Sequence, residues 1–297
     1  MSGEIPVIPA KTLMGRTRDT SWFGTDYNMN IYKGCCHGCI YCDSRSDCYR
    51  VENFDAVRAK DNALEVIRRD LKSKSKTGVI ATGSMSDPYN PFEQTLRLTR
   101  GALEIISQQG FGVAIATKSD LIARDIDALQ SIRSHAPVLC KLTVTAADDA
   151  LCAKLEPHAP LTSRRFAAVK ALSAAGLFTG ILLMPVLPFL TDSWENISGI
   201  IHRARDCGAR FVYPYFGVTL RMNQRDYYFA RLDEHFPGMK VRYIRQYGDS
   251  YQCLSPQAEE LQARFAEECR NCGLLTDMKE IIAGYRGAYE REQLTFF

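Results

Sequence analysis

Three cysteines near the N-terminus have a spacing that suits a metal centre. Cys35, Cys39 and Cys42 form the pattern C-x3-C-x2-C. Gly34 and Gly38 allow the backbone to turn tightly enough for three thiolates to face one centre. Three thiolates suit a 4Fe–4S cluster with one open iron, whereas a structural zinc site needs four ligands. The spacing therefore predicts a metal site and favours an iron–sulfur cluster over zinc.

Zinc stays open as the alternative, because further ligands are close in the sequence. Cys36 and His37 are candidates, although neighbours packed so tightly make poor tetrahedral geometry. Cys48 is a more suitable fourth ligand for zinc. We interpret Cys36 as an incidental thiol in the variable position of the pattern.

The composition is that of a soluble globular protein. The chain has 297 residues, of which 46% are hydrophobic and 24% are charged. No N-terminal signal segment is apparent, and the apolar run 181–190 is too short to span a membrane, so we expect a cytoplasmic protein. Eleven cysteines in such a chain indicate reduced thiols and a metal site rather than disulfides. The net charge of +3 permits an anionic substrate without requiring one.

Strands and helices alternate over the first two thirds of the chain and must position these cysteines. The pattern predicts strands at residues 28–33, 78–82, 112–117, 138–145, 179–184 and 210–213, and helices at 62–72, 94–109, 121–134, 163–175 and 194–207. Six such units favour a parallel sheet, either barrel-like or doubly wound. Ser84–Tyr89 and Lys118–Asp120 follow strand ends, where parallel folds place their sites. After about residue 220 the pattern predicts helices without clear strands.

The cysteine pattern, with the aromatic Tyr41 before the last cysteine, resembles the radical S-adenosylmethionine (SAM) superfamily. This resemblance implies that Cys35, Cys39 and Cys42 hold the cluster and that SAM chelates its open iron. The reduced cluster then cleaves SAM to a 5′-deoxyadenosyl radical that abstracts hydrogen from an organic substrate. It also implies an α/β fold, a partial (β/α)6 barrel, and an external one-electron reductant of the flavodoxin or ferredoxin type.

Further blocks resemble the spore photoproduct lyase-like, or DNA repair photolyase, group. They are Ser86-Asp-Pro-Tyr-Asn-Pro-Phe-Glu93, Thr117-Lys-Ser119 with Arg124-Asp125, Glu156-Pro157 and Met184-Pro185. The resemblance implies SAM contacts of four kinds: Ser86 and Asp87 at the amino group, Lys118 at the carboxylate, Thr143, Glu156 and Arg165 around the ribose and methionine parts, and Met184 near the adenine.

One position departs from the lyase. Ser84 stands where the lyase has the cysteine that returns a hydrogen atom to the repaired thymine. A hydroxyl cannot readily donate a hydrogen atom to a carbon radical, and Cys140 and Cys152 are predicted to be buried, inert thiols. A nucleic acid or nucleotide remains a candidate substrate, but repair of the spore photoproduct itself is not expected.

The C-terminal third has two further features. Residues 210–247 mix basic and aromatic side chains, as nucleic-acid surfaces do, but we favour packing of the rings against the barrel. Cys253, Cys269 and Cys272 are candidates for an auxiliary cluster that lacks a clear fourth ligand.

The pattern predicts three parts of the chain: a lead-in at 1–26, a radical SAM core at 27–220 and a helical extension at 221–297 packed on the barrel. We expect the protein to be a monomer without a membrane partner. The rival function is a zinc-containing nucleic-acid-binding protein without redox chemistry.

Overall fold

The computed structural model describes residues 5–293, with side chains described up to residue 289. The strands are β1 (Val7–Ile8), β2 (Met14–Arg16), β3 (Tyr27–Met29), β4 (Tyr32–Lys33), β5 (Arg58–Lys60), β6 (Val79–Thr82), β7 (Gly112–Thr117), β8 (Val138–Thr143), β9 (Phe178–Leu183), β10 (Phe211–Pro214), β11 (Gly217–Thr219) and β12 (Gln252–Leu254). The helices are α1 (Ala63–Lys72), α2 (Glu93–Leu96), α3 (Leu98–Gln108), α4 (Ile126–Arg133), α5 (Asp149–Leu155), α6 (Thr162–Ala174), α7 (Trp194–Asp206), α8 (Gln224–His235), α9 (Met239–Tyr247), α10 (Ala258–Asn271) and α11 (Met278–Gln293).

Six parallel strands form the centre of the molecule. They lie in the order β3-β6-β7-β8-β9-β10, and β2 extends the sheet as an antiparallel strand beside β3. Each parallel strand is joined to the next by a connection that contains helix, as parallel pairing requires. Strands that are successive along this series are neighbours in space, which confirms the predicted partial (β/α)6 barrel.

The two faces of these strands have different neighbours. One face packs under the helices in the largest core, with Ile80, Val113 and Leu142 among its buried side chains. The other face lines the barrel interior, where Val79 and Ala114 belong to a separate buried cluster. Since side chains alternate along a strand, the strands β6 to β10 each contribute to both clusters.

The structure differs from the predicted elements at a few places. The predicted strand at 28–33 is divided into β3 and β4, because β4 leaves the main sheet and pairs with β5. The predicted helix at 94–109 breaks at Arg97, which has a left-handed backbone (φ 51°). The expectation of no strand after residue 220 is wrong, since β12 pairs with β11. That pairing joins segments more than thirty residues apart, so local periodicity does not reveal it.

The C-terminal helices cover two ends of the barrel. Tyr228 of α8 and Tyr243 of α9 are buried in a cluster that also contains Ile40 of the cysteine loop. At the opposite end, Tyr285 of α11 donates a hydrogen bond of 2.6 Å to the carbonyl of Phe23. Within residues 5–293, no helix is both long and apolar enough to cross a membrane.

Candidate active site

The cysteine loop starts directly after β4 and depends on two glycines. Gly34 (φ 82°) and Gly38 (φ 69°) both have left-handed backbones, as the sequence predicts for a tight turn. A Cβ on Gly34 would lie 2.6 Å from the carbonyl oxygens of Phe54 and Ala56, so a larger residue would displace this backbone. The amide of Cys35 donates to the carbonyl of Phe54 at 2.8 Å and fixes the start of the loop.

One cavity at the carboxyl ends of β6, β7 and β8 collects most of the predicted site residues. Its lining includes Cys35, Cys39, Cys42, Ser84, Ser86, Asp87, Lys118 and Thr143. Tyr41, Glu156, Arg165 and Met184 are not in this lining. The residues that follow strand ends therefore meet at one edge of the sheet, because the strands are parallel.

Asp87 joins three segments of this cavity. Its carboxylate accepts hydrogen bonds from the hydroxyl of Thr117 (2.6 Å) and from the backbone amides of Lys118 (2.8 Å) and Tyr89 (2.9 Å). The Nδ1 atom of buried His37 lies 3.4 Å from the same carboxylate. Asp87 therefore holds the end of β7 against the cysteine loop, which positions the backbone of Lys118.

Behind the cavity, Glu156 lies between Tyr41 and Arg165. The Glu156 carboxylate contacts both the hydroxyl of Tyr41 and the guanidinium of Arg165, and all three side chains are buried. Burial alone would raise the pKa of Glu156, but Arg165 and Lys118 outweigh burial and hold that pKa below its usual value. Arg165 also donates to the carbonyl of Thr143 at 3.0 Å. This group therefore ties the cysteine loop to the end of β8 rather than lining the cavity.

Lys118 is the cation of the cavity. Its Nζ lies 5.6 Å from the centre of the Tyr41 ring. Burial alone would lower the pKa of Lys118, but the thiol of Cys39 and the carboxylate of Glu156 outweigh burial and raise it. The side chain is therefore an ammonium at neutral pH that can pair with an anionic ligand group.

The donor set of the loop fits a cluster better than zinc. Zinc–sulfur bonds of about 2.3 Å place tetrahedral thiolates about 3.8 Å apart. Among the described residues, Cys35, Cys39 and Cys42 do not form a group whose ligand atoms all lie within 4.8 Å of one another. Of the possible fourth ligands, Cys36 and Cys48 are absent from the cavity lining, whereas His37 lines the cavity with its Nδ1 directed to Asp87. Burial raises the pKa of Cys35 to about 12, so binding of a metal centre must displace a proton from this thiol.

The three cysteines considered as candidates for an auxiliary cluster do not lie in one place. Cys253 is buried with α8 and α9, whereas Cys269 is buried in the main core. In the described part of the chain, Cys272 groups instead with His202 and Glu268 at the surface. The three cysteines therefore do not share one environment in which to bind a cluster.

The basic and aromatic residues of segment 210–247 mostly stabilise the fold. Tyr228 and Tyr243 are buried and hydrogen-bonded to each other at 2.9 Å. Arg225 donates to the carbonyls of Gly248 (2.7 Å) and Asp249 (2.9 Å). This agrees with the predicted packing of the rings against the rest of the protein.

Sequence reasoning missed two buried groups near the site. Glu93 contacts the Tyr32 hydroxyl and pairs with Arg124 at 3.2 Å, behind the cavity. Lys141 lies in the middle of β8 with only 4% of its surface exposed. The signal in the sequence is a lysine inside an otherwise apolar strand pattern.

Comparisons with known proteins agree with this geometry. The family model of the radical SAM superfamily matches residues 29–198. Uncharacterized proteins of Mycobacterium tuberculosis and Mycobacterium bovis are each 31% identical over 247 residues, which are 81% of this chain and 72% of the relative. An uncharacterized protein of Methanocaldococcus jannaschii is 33% identical over 192 residues, which are 64% of this chain and 70% of that relative.

Solved structures share the fold. Spore photoproduct lyase complexed with dinucleoside spore photoproduct has a TM-score of 0.66 and 13% identity, covering 90% of this chain and 80% of the lyase. The radical SAM methyltransferase TsrM of Kitasatospora setae, with tryptophan and a SAM analogue bound, has a TM-score of 0.54 and 10% identity, covering 82% and 51%. The family model spans more than half of the chain and includes the three cysteines. The chain therefore belongs to the radical SAM superfamily and is an enzyme whose cofactors are a 4Fe–4S cluster and SAM.

Proposed function

We propose that this enzyme cleaves SAM reductively and abstracts hydrogen from an organic substrate held inside the barrel. The observation that carries this proposal is that three thiols and the Lys118 ammonium face one cavity. Cys35, Cys39 and Cys42 would hold the cluster. When bound, the cluster and SAM supply a 5′-deoxyadenosyl radical through one-electron reduction by an external flavodoxin or ferredoxin.

The remaining residues have binding and positioning roles in this proposal. Lys118 pairs with the SAM carboxylate, while Ser86 and Asp87 lie toward its amino group. Thr143 lines the same cavity and contacts the ribose or methionine part. Met184 is partly buried after β9, consistent with backbone contacts to the adenine.

Tyr41, Glu156 and Arg165 act differently from direct SAM contacts in this proposal. Because all three are buried behind the cavity, their role is to orient the cysteine loop relative to Thr143. A direct contact of Glu156 or Arg165 with SAM would require this buried ion pair to open. Separation of the pair would leave an uncompensated buried charge.

The test is anaerobic reconstitution with iron, sulfide, SAM and dithionite, followed by chromatography of the products. Release of 5′-deoxyadenosine and methionine by wild type is the expected result. The matched control is the Cys39→Ala variant, which should release neither product. A reconstituted wild type with a full cluster that leaves SAM intact would overturn the proposal.

The nature of the substrate depends on Ser84. It lines the cavity beside Ser86, close enough to the site for its side chain to matter. We propose a substrate other than the spore photoproduct, with a nucleotide or nucleic-acid lesion as the leading class. The Ser84→Cys variant, given photoproduct dinucleotide, should raise the yield of clean thymine product if the barrel accepts that substrate. Efficient repair of the photoproduct over many turnovers by wild type would contradict the proposal that the substrate is other than the spore photoproduct.

The organisation of the chain stays a proposal as well. We propose residues 27–220 as the catalytic core, residues 1–26 as its lead-in and residues 221–297 as a helical extension. The antiparallel pairing of β2 with β3 attaches the lead-in to the core sheet. We further propose a cytoplasmic monomer.

A further inference from the structure

The interior of the barrel contains one buried lysine whose position the radical chemistry does not explain. Lys141 is paired in register with Ala116 of β7 and Gly180 of β9. Side chains paired in register in a parallel sheet lie on the same face, and neighbouring strands are about 4.8 Å apart. Ala116 lines the cavity of the three cysteines. Lys141 is therefore one strand away from the wall of the proposed SAM site, on the inner face.

The neighbours of Lys141 identify this face as the barrel interior. The ammonium lies 4.3 Å from the centre of the Phe23 ring. Phe23 is buried with Ala114, Leu139 and Leu182 in the cluster inside the barrel. The adjacent residue on β8, Cys140, packs instead under the helices.

The ammonium of Lys141 contacts the Phe23 ring but has no counter-charge among the described residues. In that part of the chain, no carboxylate lies within ion-pair distance of its Nζ, and its Nζ makes no hydrogen bond. A buried ammonium without a counter-charge is unfavourable, so such a residue is a candidate for binding an anionic ligand group.

The inner face of the neighbouring strands is partly exposed near this lysine. Ala81 and Ala114 pair in register, and both are small side chains on the inner face, as is Ala116. Ala81 and Ala116 are only partly buried although they lie in the middle of the sheet. Asn28, which pairs with Ala81, is exposed. The inner face is therefore accessible along β3, β6 and β7, next to the cavity lined by the cysteines.

We propose that Lys141 binds an oxyanion, either a phosphate or a carboxylate, of the substrate held inside the barrel. This inference rests on the proposed function, because a substrate that gives a hydrogen atom to the 5′-deoxyadenosyl radical must lie inside the barrel next to SAM. In this arrangement the two lysines bind different ligands. Lys118 binds SAM at the mouth of the barrel, and Lys141 binds the substrate one residue layer deeper.

The titration behaviour of Lys141 agrees with this role. Burial lowers the pKa of Lys141 to about 8. A bound oxyanion favours the ammonium form and raises this pKa again, by about one pH unit or more. Tyr213 of β10 and Tyr285 of α11 are the other titratable groups in the surrounding cluster, and neither is a carboxylate that could replace the ligand.

The experiment measures this pKa in the reconstituted enzyme with SAM bound. Protein labelled with ¹³C at the lysine ε-carbons is titrated by NMR in chloride, in inorganic phosphate and in acetate at equal ionic strength. The Lys141 signal is assigned by its loss in Lys141→Met. Lys72→Met, at the exposed end of α1, is the matched control. Iron content and circular dichroism show whether each variant is folded and loaded.

We expect the Lys141 midpoint to lie well below that of ordinary lysines in chloride and to rise in phosphate or acetate. A rise in phosphate alone assigns a phosphate-bearing substrate, and a rise in both salts assigns an oxyanion site of either kind. An identical midpoint in all three salts would overturn the inference. Formation of 5′-deoxyadenosine by wild type is measured in parallel. Its absence would count against the proposed function, whereas the response of Lys141 to anions would stand independently.

Discussion

At the scale of single residues, the cysteine loop makes the most direct prediction. Cys35→Ala, Cys39→Ala and Cys42→Ala should each prevent cluster assembly, because each removes one of three thiols that face the cavity. Cys36→Ala should retain it, since Cys36 packs against the main core instead. Iron and sulfide counting on the four reconstituted proteins decides the matter. Full iron content in any of the first three variants, or loss in the fourth, would contradict the ligand assignment.

Lys118 offers a second test at this scale. Lys118→Met removes the ammonium but keeps most of the chain length, so the cluster should assemble while SAM binds more weakly. Loss of one charge-assisted contact predicts about 1.5–3 kcal/mol, or roughly ten- to a hundredfold in affinity. Calorimetry on reconstituted protein measures the SAM affinity, with Lys154→Met at an exposed position of α5 as the matched control. Equal SAM affinity in both variants would remove Lys118 from the site.

Lys141 predicts an unusual dependence of stability on pH. Its pKa falls from the ordinary 10.5 to about 8 on folding, so the unfolded chain binds the extra proton between these values. The charged form is therefore penalised below about pH 8, and the penalty disappears as the pH rises toward 10.5. Lys141→Met should stabilise the substrate-free protein by an amount on the order of 3 kcal/mol at pH 7, less at higher pH. Urea unfolding at several pH values measures this gain; destabilisation by the substitution would contradict it.

At the scale of elements, two glycines in regular structure should respond to alanine in opposite ways. A Cβ on Gly180 in β9 would lie 2.3 Å from ring atoms of buried Phe211, so Gly180→Ala should destabilise the protein by about 1–3 kcal/mol. A Cβ on Gly199 in α7 would meet only the Cβ of Ala147, at an ordinary 3.5 Å. Gly199→Ala should therefore stabilise by up to about 1 kcal/mol. Anaerobic urea midpoints compare the two variants with wild type; the same sign for both would be inconsistent with this packing.

At the scale of the whole molecule, the charges predict weak affinity for duplex DNA. The net charge is only +3, and several basic side chains of segment 210–247 are already paired. Arg221 pairs with Asp43 at 3.0 Å, and Lys240 pairs with Asp233 at 2.9 Å. We therefore expect a dissociation constant of about 10⁻⁴ M or weaker at physiological salt, near the weak limit of non-specific binding.

Fluorescence anisotropy with a labelled duplex at about 50 and 200 mM salt measures this affinity. A shallow salt dependence is expected, because few phosphates can be neutralised. A decrease of affinity with salt as steep as that expected for roughly six or more neutralised phosphates would show that the protein has a nucleic-acid-binding surface. A small nucleotide substrate inside the barrel is compatible with a shallow or a steep salt dependence. Affinity for duplex DNA and the identity of the substrate are therefore separate questions.

The sequence by itself determined the family and the order of the elements, and it predicts which cysteines hold the cluster. Residues 112–117 were predicted as a strand and form β7 with the same bounds. Such segments are predictable because their signals are local. A strand shows as a short apolar run bounded by glycines, and a helix shows as an amphipathic repeat. The spacing of Cys35, Cys39 and Cys42 is local too, so the loop could be identified before its geometry was known.

The tertiary structure decided which side chains reach the cavity and which support it. Glu156 and Arg165 looked like SAM contacts, but they are buried behind the cavity and pair with each other. β12 was missed because its partner strand is distant in the sequence. The interior position of Lys141 was also undecided, because a strand buried on both faces gives no alternating pattern that tells inside from outside. Side-chain direction and long-range pairing depend on the assembled partial barrel, and no local segment of the sequence contains that information.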